Sequence, residues 1–251
     1  MEPRFVGRLG VADAVTVANA ALGFLAAVAA TIDPELAARL VLLAAVADGL
    51  DGVVARTLGS TPAGEYLDSL ADVASFGVAP AMLVFVVARE RWALTDPSAV
   101  AVAVFAVPAL FVAMAVVRLG LYTAYDVGNG HTEGVPSTLA GTLLAASVLA
   151  GVEDATVLLA AAGAFAYLMV TNVTYPDLFA RDALAMGGLQ ALAILVPAAF
   201  GRAFPRLLLA AALAYLLLGP RFYWRETDCD LDAREVEGRR SATREGEGKR
   251  S

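Results

Sequence analysis

The sequence predicts an all-α fold, a polytopic bundle of about eight transmembrane helices. Three observations carry that reading. Hydrophobic residues make up 59% of the 251-residue chain, and its mean hydropathy is +0.69; a soluble domain averages roughly 45–50% apolar residues. The excess is gathered into runs of Ala, Leu and Val, several of which reach the ~20 residues that a helix needs to cross a bilayer. After residue 220 the character changes, and Arg, Glu and Gly replace the large apolar side chains.

The first run, 13–31, follows Arg4 and Arg8 and lacks a small-residue cleavage site after a short apolar core. It reads as a retained span, not a signal peptide. Further spans are expected at 36–56, 68–88, 98–120, 136–152, 154–173, 184–200 and 203–219. The fifth is short, and Gly201-Arg202-Ala203-Phe204-Pro205 splits the last two. Residues 1–220 therefore form one membrane domain. Residues 221–251 cannot bury enough apolar surface to offset their ordering entropy, so a disordered or loosely held tail is expected there. No internal repeat is evident.

Eight spans put both termini on one side, together with Arg4, Arg8, Arg56, Arg118, Arg181, Arg221 and Arg225. Arg39, Arg89, Arg91, Arg202 and Arg206 fall on the other. The positive-inside rule assigns the first group to the cytoplasm. The expected location is thus the cell membrane, multi-pass.

Composition also excludes chemistry. Cys229 is the single cysteine and His131 the single histidine, so Cys-His nucleophilic sites, multi-His zinc sites and CxxC metal sites lack their parts. His131 follows Gly128, Asn129 and Gly130 and reads as an exposed turn residue. The net charge is −7, and Lys249 is the single lysine. An acidic, lysine-poor surface suits high salt; a GC-rich genome explains the same bias, and both readings stay open. No nucleic-acid partner is expected.

Carboxylates inside membrane helices are costly and usually functional. Four occur here as two pairs: Asp48 and Asp51 near the end of the second span, Asp68 and Asp72 near the start of the third. Residues three or four apart share a helix face. A short connection makes the two helices antiparallel neighbours, so the four carboxylates can converge near one membrane surface. Such a group needs compensating charge. Mg²⁺ takes oxygen ligands and keeps positions for water and phosphates, and a pair of ions can clamp a pyrophosphate. Gly52 and Ala55 extend the acidic face by one and two turns, and Gly64 precedes Asp68 by four residues. A face without side chains admits a flat ligand. Arg56 comes next and can pair with phosphate or carboxylate.

The pattern Asp48-x2-Asp51-Gly52-x2-Ala55-Arg56-x7-Gly64-x3-Asp68-x3-Asp72 resembles the signature of the CDP-alcohol phosphatidyltransferases, with every fixed position filled. These membrane enzymes move a phosphatidyl group from a CDP-linked lipid to an alcohol and release CMP. The run Leu67-Asp68-Ser69-Leu70-Ala71-Asp72-Val73-Ala74-Ser75-Phe76-Gly77-Val78-Ala79-Pro80 resembles the phosphatidylserine synthase branch. So do Thr16-Val17-Ala18-Asn19 with Gly23, Gly134-Val135-Pro136-Ser137-Thr138, and Leu168-Met169-Val170-Thr171-Asn172 with Tyr175-Pro176. The resemblance covers roughly residues 13–180. One departure is clear: after Arg118 the branch often has a second basic residue and an Asn, where this chain has Leu119-Gly120-Leu121-Tyr122-Thr123.

The resemblance implies transfer of a phosphatidyl group, or an archaetidyl group in an archaeon, to the hydroxyl of L-serine. Asp48, Asp51, Asp68 and Asp72 would hold one or two Mg²⁺ or Mn²⁺ ions, with Asp72 also the candidate general base. Gly52, Ala55 and Gly64 would admit the cytidine and ribose. Arg118 would meet a carboxylate or phosphate, with Ser69 and Ser75 (and Ser137 and Thr138) as further hydrogen-bonding candidates. The family often forms homodimers; the residues leave the oligomeric state open. The nearest rival keeps the reaction and changes the acceptor to inositol phosphate, glycerol phosphate or another polar alcohol. A more distant rival is a cation-coupled transporter, which would place its acids near the bilayer midplane on discontinuous helices.

Overall fold

The computed structural model describes residues 8–59, 61–92, 98–126, 131–176 and 178–223; the side chains of Arg56, Leu58 and Ala180 fall outside that description, as do Arg4, Arg225, Cys229 and the expected tail from residue 224. Among the described residues the chain forms eight helical stretches: α1 Val11–Ala30, α2 Pro34–Leu58, α3 Gly64–Arg91, α4 Ala99–Asp126, α5 Ser137–Leu149, α6 Ala155–Leu168, α7 Ala180–Leu195 and α8 Ala199–Phe222. Each expected span has a helix at its place. The protein is an all-α helical membrane protein.

Four helices, α1, α3, α4 and α8, are long and apolar enough to cross a membrane by length and composition. α2 has the length, at 25 residues, but carries Glu35, Arg39, Asp48, Asp51 and Arg56. α5 and α6 are apolar but have 13 and 14 residues, which at 1.5 Å per residue gives about 20 Å each. α6 was expected to run to 173 and stops at Leu168. There the chain turns and pairs Thr174–Pro176 (β2) antiparallel with His131–Glu133 (β1), in the register His131↔Pro176, Thr132↔Tyr175, Glu133↔Thr174. Three-residue strands carry no periodicity, so nothing in the sequence pattern announces them. His131 is exposed on β1.

Local chemistry explains the helix starts. Asp33 caps α2 by accepting from the backbone N–H of Glu35 (2.8 Å), with Pro34 at the first helical position. Ser98 caps α4 through Ala101 N–H (3.1 Å), and Asp154 caps α6 through Thr156 N–H (2.8 Å). The split between α7 and α8 is a left-handed turn at Phe200, Gly201 and Arg202, with φ of 50°, 65° and 65°. α8 then continues through Pro220 to Phe222.

α3 is the central helix. Ala79, Leu83 and Val86 face one core cluster with α1, α2 and α8, while Ala81, Val84 and Ala88 face another with α4, α5 and α6. The first cluster is alanine-rich: Ala26, Ala29 and Ala30 of α1 meet Ala37, Ala38, Val41 and Leu42 of α2. Small residues let membrane helices approach closely and gain dispersion contacts. Outside, Phe24 and Leu25 of α1, Val102 and Phe105 of α4, and Leu217 of α8 are exposed, the apolar surface that lipid solvates.

Among the described residues two helical stretches widen beyond α-geometry, and both lie beside the acids. Val73–Val78 within α3, immediately after Asp72, and Tyr122–Asp126 at the end of α4 are π-helical. Such insertions are rare and collect at functional sites. The first is pressed against α1: a Cβ on Gly23 would lie 2.7 Å from the backbone of Ala74 and Ser75, so only glycine fits there.

Candidate active site

The acids lie well inside their helices. Asp48 precedes Leu58, the end of α2, by ten residues, about 15 Å at helical rise. Asp68 and Asp72 lie four and eight residues into α3. Antiparallel packing brings the two faces together, and carboxylate oxygens of Asp48, Asp68 and Asp72 lie within 4.8 Å of one another. Asp51 lies beside this trio rather than in it. Its Oδ2 accepts a 2.8 Å hydrogen bond from Thr16 Oγ1 on α1, and the residue is 6% exposed.

Asp72 is equally buried, and its Oδ1 has no hydrogen-bond partner among the described residues. A buried carboxylate oxygen without a donor is expensive. A cluster of hard oxygen donors with an unspent lone pair fits a divalent cation of the Mg²⁺ or Mn²⁺ type.

Arg118 closes the opposite side. It is 7% exposed, its Nη2 donates to Thr132 Oγ1 of β1 (3.0 Å), and its guanidinium lies 5.1 Å from the centre of the Tyr122 ring. It is close enough to Asp72 and Asp48 to interact with both electrostatically. Its Nε has no partner among the described residues. Tyr122 and Thr123 stand where the sequence departs from the resembling branch. The π-helical turn uses both, Tyr122 against Arg118 and Thr123 hydrogen-bonded to the Ser69 hydroxyl.

The other candidates fall as follows. Gly52, Ala55 and Gly64 line a cavity of about 160 Å³ together with Asp51 and Asp68. Ser69 faces α4 through Thr123. Ser75 is fully buried against α1, its hydroxyl 2.9 Å from both Asn19 O and Asn19 Oδ1; that bond locks α1 to the π-helical stretch. Arg56 is on α2, with its side chain outside the described residues. Ser137 Oγ is buried with no described partner.

Residues outside the expected set also reach the site. Asp13 on α1 is 1% exposed and accepts from Gly10 N–H (2.7 Å) and Thr61 Oγ1 (2.8 Å), tying the start of α1 to the α2–α3 turn beside Gly64. Its backbone contact is an acid at the third helical position reaching back to the cap. The signal was present: Asp13, Thr16 and Asn19 recur every three residues on one face of an otherwise apolar helix.

Residues 9–175 match the family described as CDP-alcohol phosphatidyltransferase. The chain belongs to that family. It is 31% identical over 169 residues to the archaetidylserine synthase of Methanothermobacter thermautotrophicus, covering 65% of this chain and 68% of that protein. To the CDP-diacylglycerol–serine O-phosphatidyltransferase of Helicobacter pylori it is 30% identical over 155 residues, 57% of this chain and 61% of the relative. The Mycobacterium leprae protein of that name matches more closely but over less: 53% identity across 53 residues, 21% of this chain and 18% of the relative. This member of the family is thus a multi-pass membrane transferase of phospholipid biosynthesis, with its acid signature on α2 and α3.

Proposed function

We propose that the protein transfers the phosphatidyl or archaetidyl group of a CDP-linked lipid to the hydroxyl of L-serine and releases CMP. The observation that carries this reading is the convergence of three carboxylates within 4.8 Å beside a buried arginine. The serine assignment is supported by the names of the relatives and by Thr171 and Asn172, which line a cavity together with Arg118.

Asp48, Asp68 and Asp72, with Asp51 alongside, would hold one or two Mg²⁺ or Mn²⁺ ions, which supply positive charge to a pyrophosphate. The protein's own groups do the rest. The small-residue face of Gly52, Ala55 and Gly64 receives the nucleotide end, so that the lipid-bearing phosphorus sits over the acids. Asp72 takes the proton of the acceptor hydroxyl as its oxygen bonds to that phosphorus and the bond to CMP breaks. Both substrates bind together, so no covalent enzyme intermediate is required, and positioning supplies much of the rate. Arg118 holds the acceptor's anionic end beside Asp72. Residues 1–220 act as the catalytic domain and 221–251 as an appended tail, with the site open to the cytoplasmic face.

The test is CMP release by purified protein in detergent, with CDP-diacylglycerol or CDP-archaeol, Mg²⁺ or Mn²⁺, and a panel of acceptors at several salt concentrations. Serine-dependent release that stops with EDTA supports the reading. Release with a different acceptor keeps the family reaction and removes serine. Adding Mg²⁺ should also raise Tm, a readout independent of turnover.

A further inference from the structure

The chemistry above leaves one cation unused. Arg39 lies five residues past Pro34, where α2 starts, about 8 Å along the helix. The acids begin well beyond it, at Asp48. Arg39 is half-buried, and its Nε is shut off from solvent with no hydrogen-bond partner among the described residues. The described ion pairs are Arg202 with Glu35 and Arg181 with Asp182, so Glu35, one turn before Arg39, is already taken. A buried donor without an acceptor is costly. The acceptor has to come from outside the chain.

The surroundings of Arg39 identify it. Ile32, Leu36, Leu43 and Leu50 are exposed, and their spacing puts them on one side of α2, the side that lipid covers. Arg39 stands three residues after Leu36 and four before Leu43, a lone charge in that apolar stripe. Helical side chains lean toward the N-terminus of their helix. Here that direction leads to the membrane surface. An arginine stem lies along apolar neighbours there while its head meets the lipid headgroups.

A second guanidinium stands at the same corner. The Glu35–Arg202 pair joins the first turns of α2 and α8, and both helices run inward from it. Arg206 follows Arg202 by four residues, as Arg39 follows Glu35. Arg206 is exposed and commits only its Nε, to Ala150 O at 3.4 Å. Neither carboxylate of the corner is left for a headgroup ammonium: Glu35 holds Arg202, and Asp33 accepts from the N–H of Glu35.

We propose that Arg39, with Arg206, binds the phosphate of an anionic membrane lipid in the leaflet opposite the acids. Guanidinium groups suit phosphate because their paired N–H donors match its oxygens. The bound lipid clips α2 to α8 and takes no part in the transfer reaction, so the proposal is independent of the acceptor. A ligand held by the folded state alone raises its stability.

The test uses the full-length protein in lipid nanodiscs, with EDTA and without CDP-lipid. Tm is measured in phosphatidylcholine, in phosphatidylcholine mixed with phosphatidylglycerol, and in phosphatidylcholine with inorganic phosphate added. The wild type should melt about 3 °C or more higher with phosphatidylglycerol, and inorganic phosphate should not reproduce the rise. Arg39→Gln should melt like the wild type in phosphatidylcholine, because Arg39 has no described partner to lose, and should lack the phosphatidylglycerol increment. Arg206→Gln should reduce that increment. Native mass spectra read the site independently of Tm: Arg39→Gln should retain less phosphatidylglycerol than the wild type. An equal Tm for the wild type in both lipid compositions, or the same rise with inorganic phosphate, overturns the proposal. So does a phosphatidylglycerol increment, or an amount of retained lipid, that survives Arg39→Gln unchanged.

Discussion

Where α2 begins and α5 finishes, the bundle closes on satisfied polar groups. Arg202 pairs with Glu35 at 2.7 Å and donates to the terminal carbonyl of α5, Leu149 O, at 2.9 Å; Arg206 Nε reaches Ala150 O at 3.4 Å. Where α2 finishes and α3 begins, the opposite holds. Asn19 Nδ2, Asp72 Oδ1, Arg118 Nε and Ser137 Oγ are all buried there without a described partner. Arg39 Nε is the exception at the other end. Buried polar groups are nearly always paired, so a cluster of orphans at one end marks groups kept for ligands. The difference teaches that one end carries the cost of function and the other holds the helices in place.

The sharpest test of that division is Asp72→Asn. Loss of a general base should lower turnover by about 10²–10⁴-fold in the CMP-release assay. The same change removes one of three crowded carboxylates, so Tm measured in EDTA should stay level or rise. A variant that loses Tm along with activity would mean that the acids hold the fold, and the comparison between the two ends would fail.

Gly134→Ala comes next, because it attacks the frame of the acid end and not its chemistry. Gly134 has φ +76°, and a Cβ there would lie 2.2 Å from Met169 O. The turn after α6 must shift, costing about 1–3 kcal/mol, and it carries Thr171 and Asn172 away from Arg118. The expected result is a KM for serine raised at least about tenfold, with the KM for CDP-lipid little changed. An equal loss in both constants would place the turn in general stability instead.

These two residues also show how far the sequence could be read. The eight helices follow from hydropathy, because apolar runs near the bilayer length have few alternatives. The acid pairs follow from three- and four-residue spacing, which alone puts Asp48 with Asp51 and Asp68 with Asp72 on shared faces. The contacts that join distant segments were not legible. The β1–β2 pairing brings Thr132 to Arg118, and its three-residue strands leave no pattern. The π-helical stretches after Asp72 and Leu121 arise from packing, the first against the bare backbone at Gly23. Spacing could not separate Asp51 from its three companions, because Thr16 on another helix decides where its carboxylate points.

That last contact gives a smaller prediction. Thr16→Val keeps the volume and removes the hydroxyl that donates to Asp51. A buried hydrogen bond to a charged group is worth about 1.5–3 kcal/mol, so kcat/KM should fall about tenfold or somewhat more. Thr16 acts through Asp51, so the Mg²⁺ concentration for half-maximal activity should rise, and Thr16→Ser should restore it. A fall in Tm without any change in metal dependence would leave Thr16 a packing residue.

The smallest effect is expected at the far end. The Arg202 and Glu35 side chains are 33% and 40% exposed, and a pair so open to solvent contributes about 0–1 kcal/mol. Arg202→Ala should therefore lower Tm by only a few degrees and leave kcat and both KM values unchanged. Arg202 also sits at φ +65°, where a side chain costs roughly 1–2 kcal/mol that glycine avoids. Arg202→Gly loses the same pair but sheds this strain, so it should melt above Arg202→Ala and near the wild type. If either variant lost activity at unchanged Tm, the far end would be coupled to the acids through α2, whose first turn carries Glu35 and whose later turns carry Asp48. Unchanged activity in both would leave the two ends energetically separate, with catalysis confined to the end where the polar groups lack partners.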